Sequence, residues 1–337
     1  MATVSAPRLV SIDDLVGLDE LLGEEERLVR DAVRRFLAGR YLPHVDEWFE
    51  KEHFPRELIP EIAALGVLGM NIEGWGCAGL GEVAYGLALQ ELEYADSGLR
   101  SFVSVQGSLC MYPIHRYGSD EQRDRWLPPM ARGEIVGCFG LTEPDAGSDP
   151  GAMKTRARRD GDSWILNGTK MWITNSPHAD LAVVWAKADG EDAGSIRGFV
   201  VERGTPGFET PTMRRKMSLR ASETGEIVLQ DCRVPEKNRL PKAQGLGAPL
   251  SCLNQARFGI AFGAVGAARA CYDAAVRYAK DRIAFGAPIA AKQLVQRELV
   301  DIADGIARSQ LLVVHLGRLK EKGKLQPWHV SLAKRGN

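Results

Sequence analysis

The segment 138–149, CFGLTEPDAGSD, places Thr142, Ala146, Gly147 and Ser148 in a turn straight after a short apolar run, Ile135 to Phe139. Small residues there let backbone N–H groups and hydroxyls approach a flat or anionic ligand closely. The same residues also suit an ordinary acidic turn. A second patch, 170–175 (KMWITN), reads as a strand. Trp172 could pack on the face of a ring system, with Thr174 offering a hydroxyl and a backbone N–H at its edge. A buried strand tryptophan followed by a turn is the plainer alternative. The third patch is 281–286 (DRIAFG), followed by Pro288 and Gln293. Arg282 is a planar fork suited to a pyrophosphate, although an Arg at a helix end also simply faces water. Asn254 and Arg257 stand one turn apart on a helical pattern and share a face, which holds either a polar ligand or water.

The elements around these patches change character along the chain. Residues 1–134 read as helical. The stripe Leu28, Val29, Ala32, Val33, Phe36 and Leu37 marks a helix over 23–40. Pro55 opens a helix that Gly66 ends, 82–96 is periodic, and 101–117 is apolar enough to be buried. Ser119 with Gln122 predicts a capping box, and the glycine-rich 74–81 a loop. From about 135 the pattern turns to strands: 155–159 and 163–166 flank Asp160-Gly161-Asp162, a hairpin signal. Further short strands are expected at 170–174, 181–186, 198–202 and 226–229. Helices return over 249–282 and 290–322, and Pro327 opens another. The chain therefore divides into a helical part (1–134), a small β domain (135–240) and a helical bundle (241–337).

The 337 residues exceed the usual size of one core. Forty-three basic and 44 acidic residues leave a formal charge of -1, which argues against nucleic acid as the main partner. The six cysteines are too sparse for a disulfide framework and form no CxxC pair, so a reducing, cytoplasmic setting is expected and no metal site. The longest stretch free of Asp, Glu, Lys and Arg is too short for a transmembrane segment. The start, MATVSAPRLVSIDDL, shows no secretory pattern.

Together, GLTEPDAGSD, KMWITN, SLRAS (218–222) and DRxxFGxPIxxxQ resemble the acyl-CoA dehydrogenase family, and within it the glutaryl-CoA dehydrogenases. The resemblance runs from about residue 10 to the last residue. It implies an α+β, three-domain layout: an N-terminal helical domain, a middle β domain and a C-terminal helical bundle. It implies FAD as cofactor, bound by Phe139, Leu141, Thr142, Gly147, Ser148, Trp172, Ile173 and Thr174. Arg282, Phe285 and Gln293 would reach the FAD of a neighbouring subunit, in a homo-oligomer of tetramer type. An acyl-CoA substrate would meet Arg100, Ser101, Ser104, Ser148, Leu250, Asn254, Arg257 and Phe258. Relatives often carry Tyr where this chain has Phe258, so no hydroxyl contact is implied there.

The segment 98–104 (GLRSFVS) resembles the one that grips the distal carboxylate of glutaryl-CoA. An Arg holds a carboxylate through two charge-assisted hydrogen bonds, and Ser104 follows one turn later. Glu93, seven residues earlier, could orient or partly neutralise Arg100, or the two form a plain surface pair. The implied reaction removes an α-proton and a β-hydride, then loses CO2 to give crotonyl-CoA. Electron-transferring flavoprotein is the expected acceptor. The family's base is a Glu in a Tyr-Glu-Gly-Thr-like segment, which this sequence lacks, so the base is expected beyond Asn337. The chain alone is then expected to be inactive, poorly soluble and weak in retaining FAD. Two alternatives stand beside this reading: a dehydrogenase or oxidase of short or branched monocarboxylic acyl-CoA, and a non-catalytic FAD or acyl-CoA binder.

Overall fold

The computed structural model describes residues 10–189 and 195–337. Much of the start that was read for a secretory pattern, 1–9, lies outside them. Nine helices come first: α1 (Ile12–Val16), α2 (Leu18–Leu21), α3 (Glu24–Phe36), α4 (Val45–Lys51), α5 (Ile59–Ala64), α6 (Glu82–Ala95), α7 (Ser97–Ser104), α8 (Tyr112–Tyr117) and α9 (Asp120–Ala131). The predicted cap of α9 is present, with Ser119 Oγ accepting from Gln122 N and Gln122 Oε1 from Ser119 N. Between α7 and α8 the chain does not stay α-helical. Val105–Met111 winds as a π-helix, one residue wider per turn.

A seven-stranded sheet follows, built from β1 (Gly137–Gly140), β2 (Arg156–Asp160), β3 (Ser163–Thr174), β4 (Leu181–Ala188), β5 (Ser195–Glu202), β6 (Phe208–Glu209) and β7 (Thr224–Pro235). Its main path is β1-β4-β2-β3-β7-β6, with β5 on β4. The strands expected at 163–166 and 170–174 are one strand, β3. It is interrupted by irregularities against β7 between Leu166 and Gly168 and between Lys170 and Ile173. Gly168 permits the first, because a Cβ there would stand 2.4 Å from Thr155 Oγ1.

The C-terminal part holds α10 (Gly247–Asp281), a two-residue hairpin of β8 (Ile283–Ala284) and β9 (Ala287–Pro288), α11 (Gln293–Glu321) and α12 (Pro327–Gly336). The hairpin was not expected; 281–286 leaves the helix at Arg282 and turns through Phe285 and Gly286, both at positive φ. α10 lies against α6 at close range. A Cβ at Gly266 would fall 1.9 Å from Gln90 O, so the two backbones nearly touch. The largest apolar cluster joins the two helical parts and one face of the sheet. A second, around Leu166, Val184, Phe199 and Ile227, fills the other face. No helix among the described residues is long and apolar enough to cross a membrane.

Candidate active site

Two segments meet at the site because of where strands end. β1 runs parallel to β4 and hands the chain on to Leu141 and Thr142. Beyond them Glu143 and Ala146 close a tight turn through paired backbone hydrogen bonds of 3.1 and 3.2 Å. β3 passes alongside, with Met171 N donating to Thr142 O at 2.9 Å. At its irregularity Trp172 takes φ 61°, a left-handed conformation that a tryptophan rarely adopts. The residue is 63% exposed, and its side chain lines two clefts.

Phe139, Leu141, Thr142, Gly147 and Ser148 line one cleft of about 610 Å3 with Trp172, Ile173, Thr174, Leu250 and Arg257. A Cβ at Gly147 would meet nothing within 4 Å, so the turn opens onto free space. A second cleft, about 680 Å3, shares Trp172 and Thr174 and adds Ser101 and the loop from Met213 to Leu219. The two clefts therefore meet across the end of β3. Such a space, with a free indole, a threonine hydroxyl and few side chains, fits a flat ring system and an attached polar chain.

Other predicted residues stand apart from both clefts. Arg100 is paired with Glu93, and their side chains are only 11% and 9% exposed. The expected alternative of a surface pair is thus replaced by a buried one, seated on α10. A Cβ at Gly263 would lie 2.7 Å from Glu93 Oε2 and 3.4 Å from Arg100 Nε. Ser104 is buried beside the Tyr85 hydroxyl, near Gly259 of α10. Asn254 Oδ1 accepts from Arg257 Nη1 at 3.2 Å, and Arg257 Nη2 donates to Ser331 Oγ at 2.6 Å. Phe258 lies in the core with the Lys320 ammonium 4.2 Å from its ring centroid. Arg282, Phe285 and Gln293 line neither cleft; they sit at the α10–α11 connection, where Phe285 is 97% exposed.

Several cleft residues escaped the sequence reading. Val105 and Leu109 come from the π-helix, Leu253 from α10 and Lys334 from α12. Leu253 was within reach, since it shares a helical face with Leu250 and Arg257. The support behind the loop also went unread. Lys170 Nζ lies 2.8 Å from Glu143 Oε1 and 3.2 Å from Leu141 O. Glu143 also accepts from Lys154 N (2.5 Å), Thr155 N (3.0 Å) and Thr155 Oγ1 (2.5 Å). Burial alone would raise the Glu143 carboxyl, but these donors hold it below its ordinary value. Burial draws the Lys170 ammonium down to about 8 against the pull of Glu143.

This fold and site define a class. The sequence profiles of the acyl-CoA dehydrogenase N-terminal, middle and C-terminal domains match residues 23–134, 138–232 and 243–335. The chain belongs to the acyl-CoA dehydrogenase family of oxidoreductases, with its α+β arrangement of helical, sheet and helical parts. A short-chain specific acyl-CoA dehydrogenase, mitochondrial, from Rattus norvegicus is 38% identical over 302 residues, 88% of this chain and 73% of that protein. A glutaryl-CoA dehydrogenase from Mycobacterium smegmatis, solved in complex with FADH2, is 51% identical with a TM-score of 0.94, covering 96% of this chain and 83% of that one. Butyryl-CoA dehydrogenase from Megasphaera elsdenii is 34% identical with a TM-score of 0.89, covering 94% and 84%.

Proposed function

We propose that the chain is an FAD-dependent acyl-CoA dehydrogenase of glutaryl-CoA type, releasing crotonyl-CoA and CO2. The observation that carries the reading is the convergence of the 139–148 segment, the Trp172–Thr174 strand end and the α10 face on one cleft. FAD, when bound, would supply the hydride acceptor for oxidation at the β-carbon of the thioester. Trp172, Ile173 and Thr174 would hold its ring system together with Leu141 and Thr142, which line the same cleft. Ser148, Leu250, Asn254 and Arg257 hold the acyl-CoA, Arg257 through a guanidinium already oriented by Asn254 and Ser331. Ser101, half-buried, lines the neighbouring cleft directly after Arg100 in the chain. Arg100 then binds the distal carboxylate with Ser104 near it. None of the described residues lining the cleft is a carboxylate, so proton removal in this reading falls to a group they do not supply.

Arg282, Phe285 and Gln293 in this reading serve the FAD of a neighbouring subunit, which makes a homo-oligomer, a tetramer by family habit, part of the function. Electron-transferring flavoprotein is the acceptor. The working division stays 1–134, 135–240 and 241–337.

Arg100→Ala should lower turnover of glutaryl-CoA about a hundredfold more than that of butyryl-CoA. Comparing two substrates in one variant removes any general loss of stability from the ratio. An equal loss on both takes Arg100 out of substrate recognition. A second reading, a short monocarboxylic substrate, is favoured by one contact: Glu93 already neutralises Arg100. In that case butyryl-CoA is the better substrate, and no CO2 is released from glutaryl-CoA.

A further inference from the structure

Gln106 is fully buried, and its amide is spent on the backbone of one connection. Nε2 donates to Ile135 O at 2.7 Å and to Met130 O at 3.2 Å, and Oε1 accepts from Gly137 N at 2.8 Å. Met130 is in the last turn of α9, and Gly137 is the first residue of β1. β1 pairs with β4 along one edge. Elsewhere β1 packs against the π-helix, where the Gln106 carbonyl takes up one of its backbone donors, Gly137 N. Asp180 completes the grip, with its Oδ2 accepting from Val136 N at 2.8 Å. The fit is tight: a Cβ at Gly137 would lie 2.7 Å from Cys110 Cβ.

The π-helix that carries Gln106 also carries Val105 and Leu109 into the cleft. The strand it holds leads to Phe139, Leu141 and Thr142 in the same cleft. We propose that Gln106 is a positioning residue that sets the gap between these two walls, and through it the fit of the flat ligand. Residue 106 touches neither wall's ligand-facing surface; it acts through the start of β1. The ligand part of the inference rests on the FAD reading above; the positioning part does not.

The test compares Gln106→Met, which keeps size and loses every hydrogen bond, with Gln122→Met. Gln122 is likewise a buried amide, bonded to two backbone carbonyls, Lys237 O and Arg239 O, and to Ser119 N of the α9 cap, and it lines neither cleft. Gln106→Asn, which keeps the amide on a shorter stem, serves if Gln106→Met does not fold. Two readouts are taken on each: FAD affinity by flavin fluorescence, and amide hydrogen exchange of 137–142 without ligand. The expected result is FAD binding about tenfold weaker in the 106 variants and within twofold of wild type in Gln122→Met. Exchange of 137–142 should quicken in the 106 variants only. Unchanged exchange, or an equal loss of FAD in Gln122→Met, overturns the proposal. If wild type ignores FAD while exchange still responds to residue 106, the FAD reading fails and the positioning role stands.

Discussion

Lys170 Nζ and Glu143 Oε1 lie 2.8 Å apart with both side chains buried, and the same ammonium holds Leu141 O at the edge of the cleft. A buried pair of this kind adds little over an apolar substitute, but losing one member leaves a charge stranded. Lys170→Met should therefore destabilise the fold by about 3–5 kcal/mol. Adding Glu143→Gln, which removes the stranded charge, should recover part of that loss. Urea denaturation of the single and double variants measures both numbers. A double variant less stable than Lys170→Met alone would show that Glu143 needs no ionic partner.

Trp172 combines a left-handed backbone with a mostly exposed ring. The conformation costs about 1–2 kcal/mol in an L-residue and nothing in glycine. Trp172→Gly should leave the melting temperature unchanged or slightly raised. FAD affinity should fall about three- to tenfold through the lost ring contact. Stability and binding thus move apart. A sharp drop in melting temperature would instead make the indole a packing residue.

What could be read from the sequence was local. The Ser119–Gln122 cap and the long run of α10 depend on neighbours a few residues away, and both were legible. The loop around Gly147 and the strand end at Trp172 were legible as motifs of small and aromatic residues. β1 was not read as a strand, because Gly137–Gly140 is buried throughout and shows no alternation. It exists through β4 and the Gln106 amide, both distant in sequence. Val105 and Leu109 were hidden for a related reason. In a run as largely apolar as 101–117, no clear periodicity marks which face meets a cleft, and the π-helix shifts that face. The Lys170–Glu143 pair spans 27 residues, and no local pattern announces it.

The α6–α10 contact gives a pair of opposite expectations. At Gly266 an added methyl would press on the Gln90 carbonyl and Tyr94 N, 1.9 and 3.1 Å from the new carbon. Backbone cannot step aside as a side chain can, so Gly266→Ala should cost about 1–3 kcal/mol. At Gly305 in α11 nothing stands within 4 Å. There the helix gains propensity, and Gly305→Ala should stabilise by about 0.5–1 kcal/mol. Thermal melts of the two variants under one buffer decide it. Equal shifts of the same sign would mean that α10 is free to move away from α6.

Glu223 is held by Arg56 and by His178 Nδ1 at 2.6 Å, where the start of β7 faces the helical part. Burial by itself would raise its pKa, but His178 and Arg56 outweigh it and bring the carboxyl to about 2, against an ordinary 4.5. A carboxyl lowered in the folded state adds stability that is complete above its unfolded value and fades as pH falls toward the folded one. The contribution should be present at pH 6 and should decline from about pH 5 downward. A shift from 4.5 to about 2 corresponds to roughly 3 kcal/mol when fully expressed. Glu223→Gln keeps the shape and cannot titrate, so it isolates this contribution. Urea denaturation of wild type and Glu223→Gln at intervals from pH 6 to 3 should show the wild-type advantage shrinking steadily. An advantage that stays constant across that range would mean that the Arg56 and His178 contacts do not distinguish the charged carboxylate from the neutral acid.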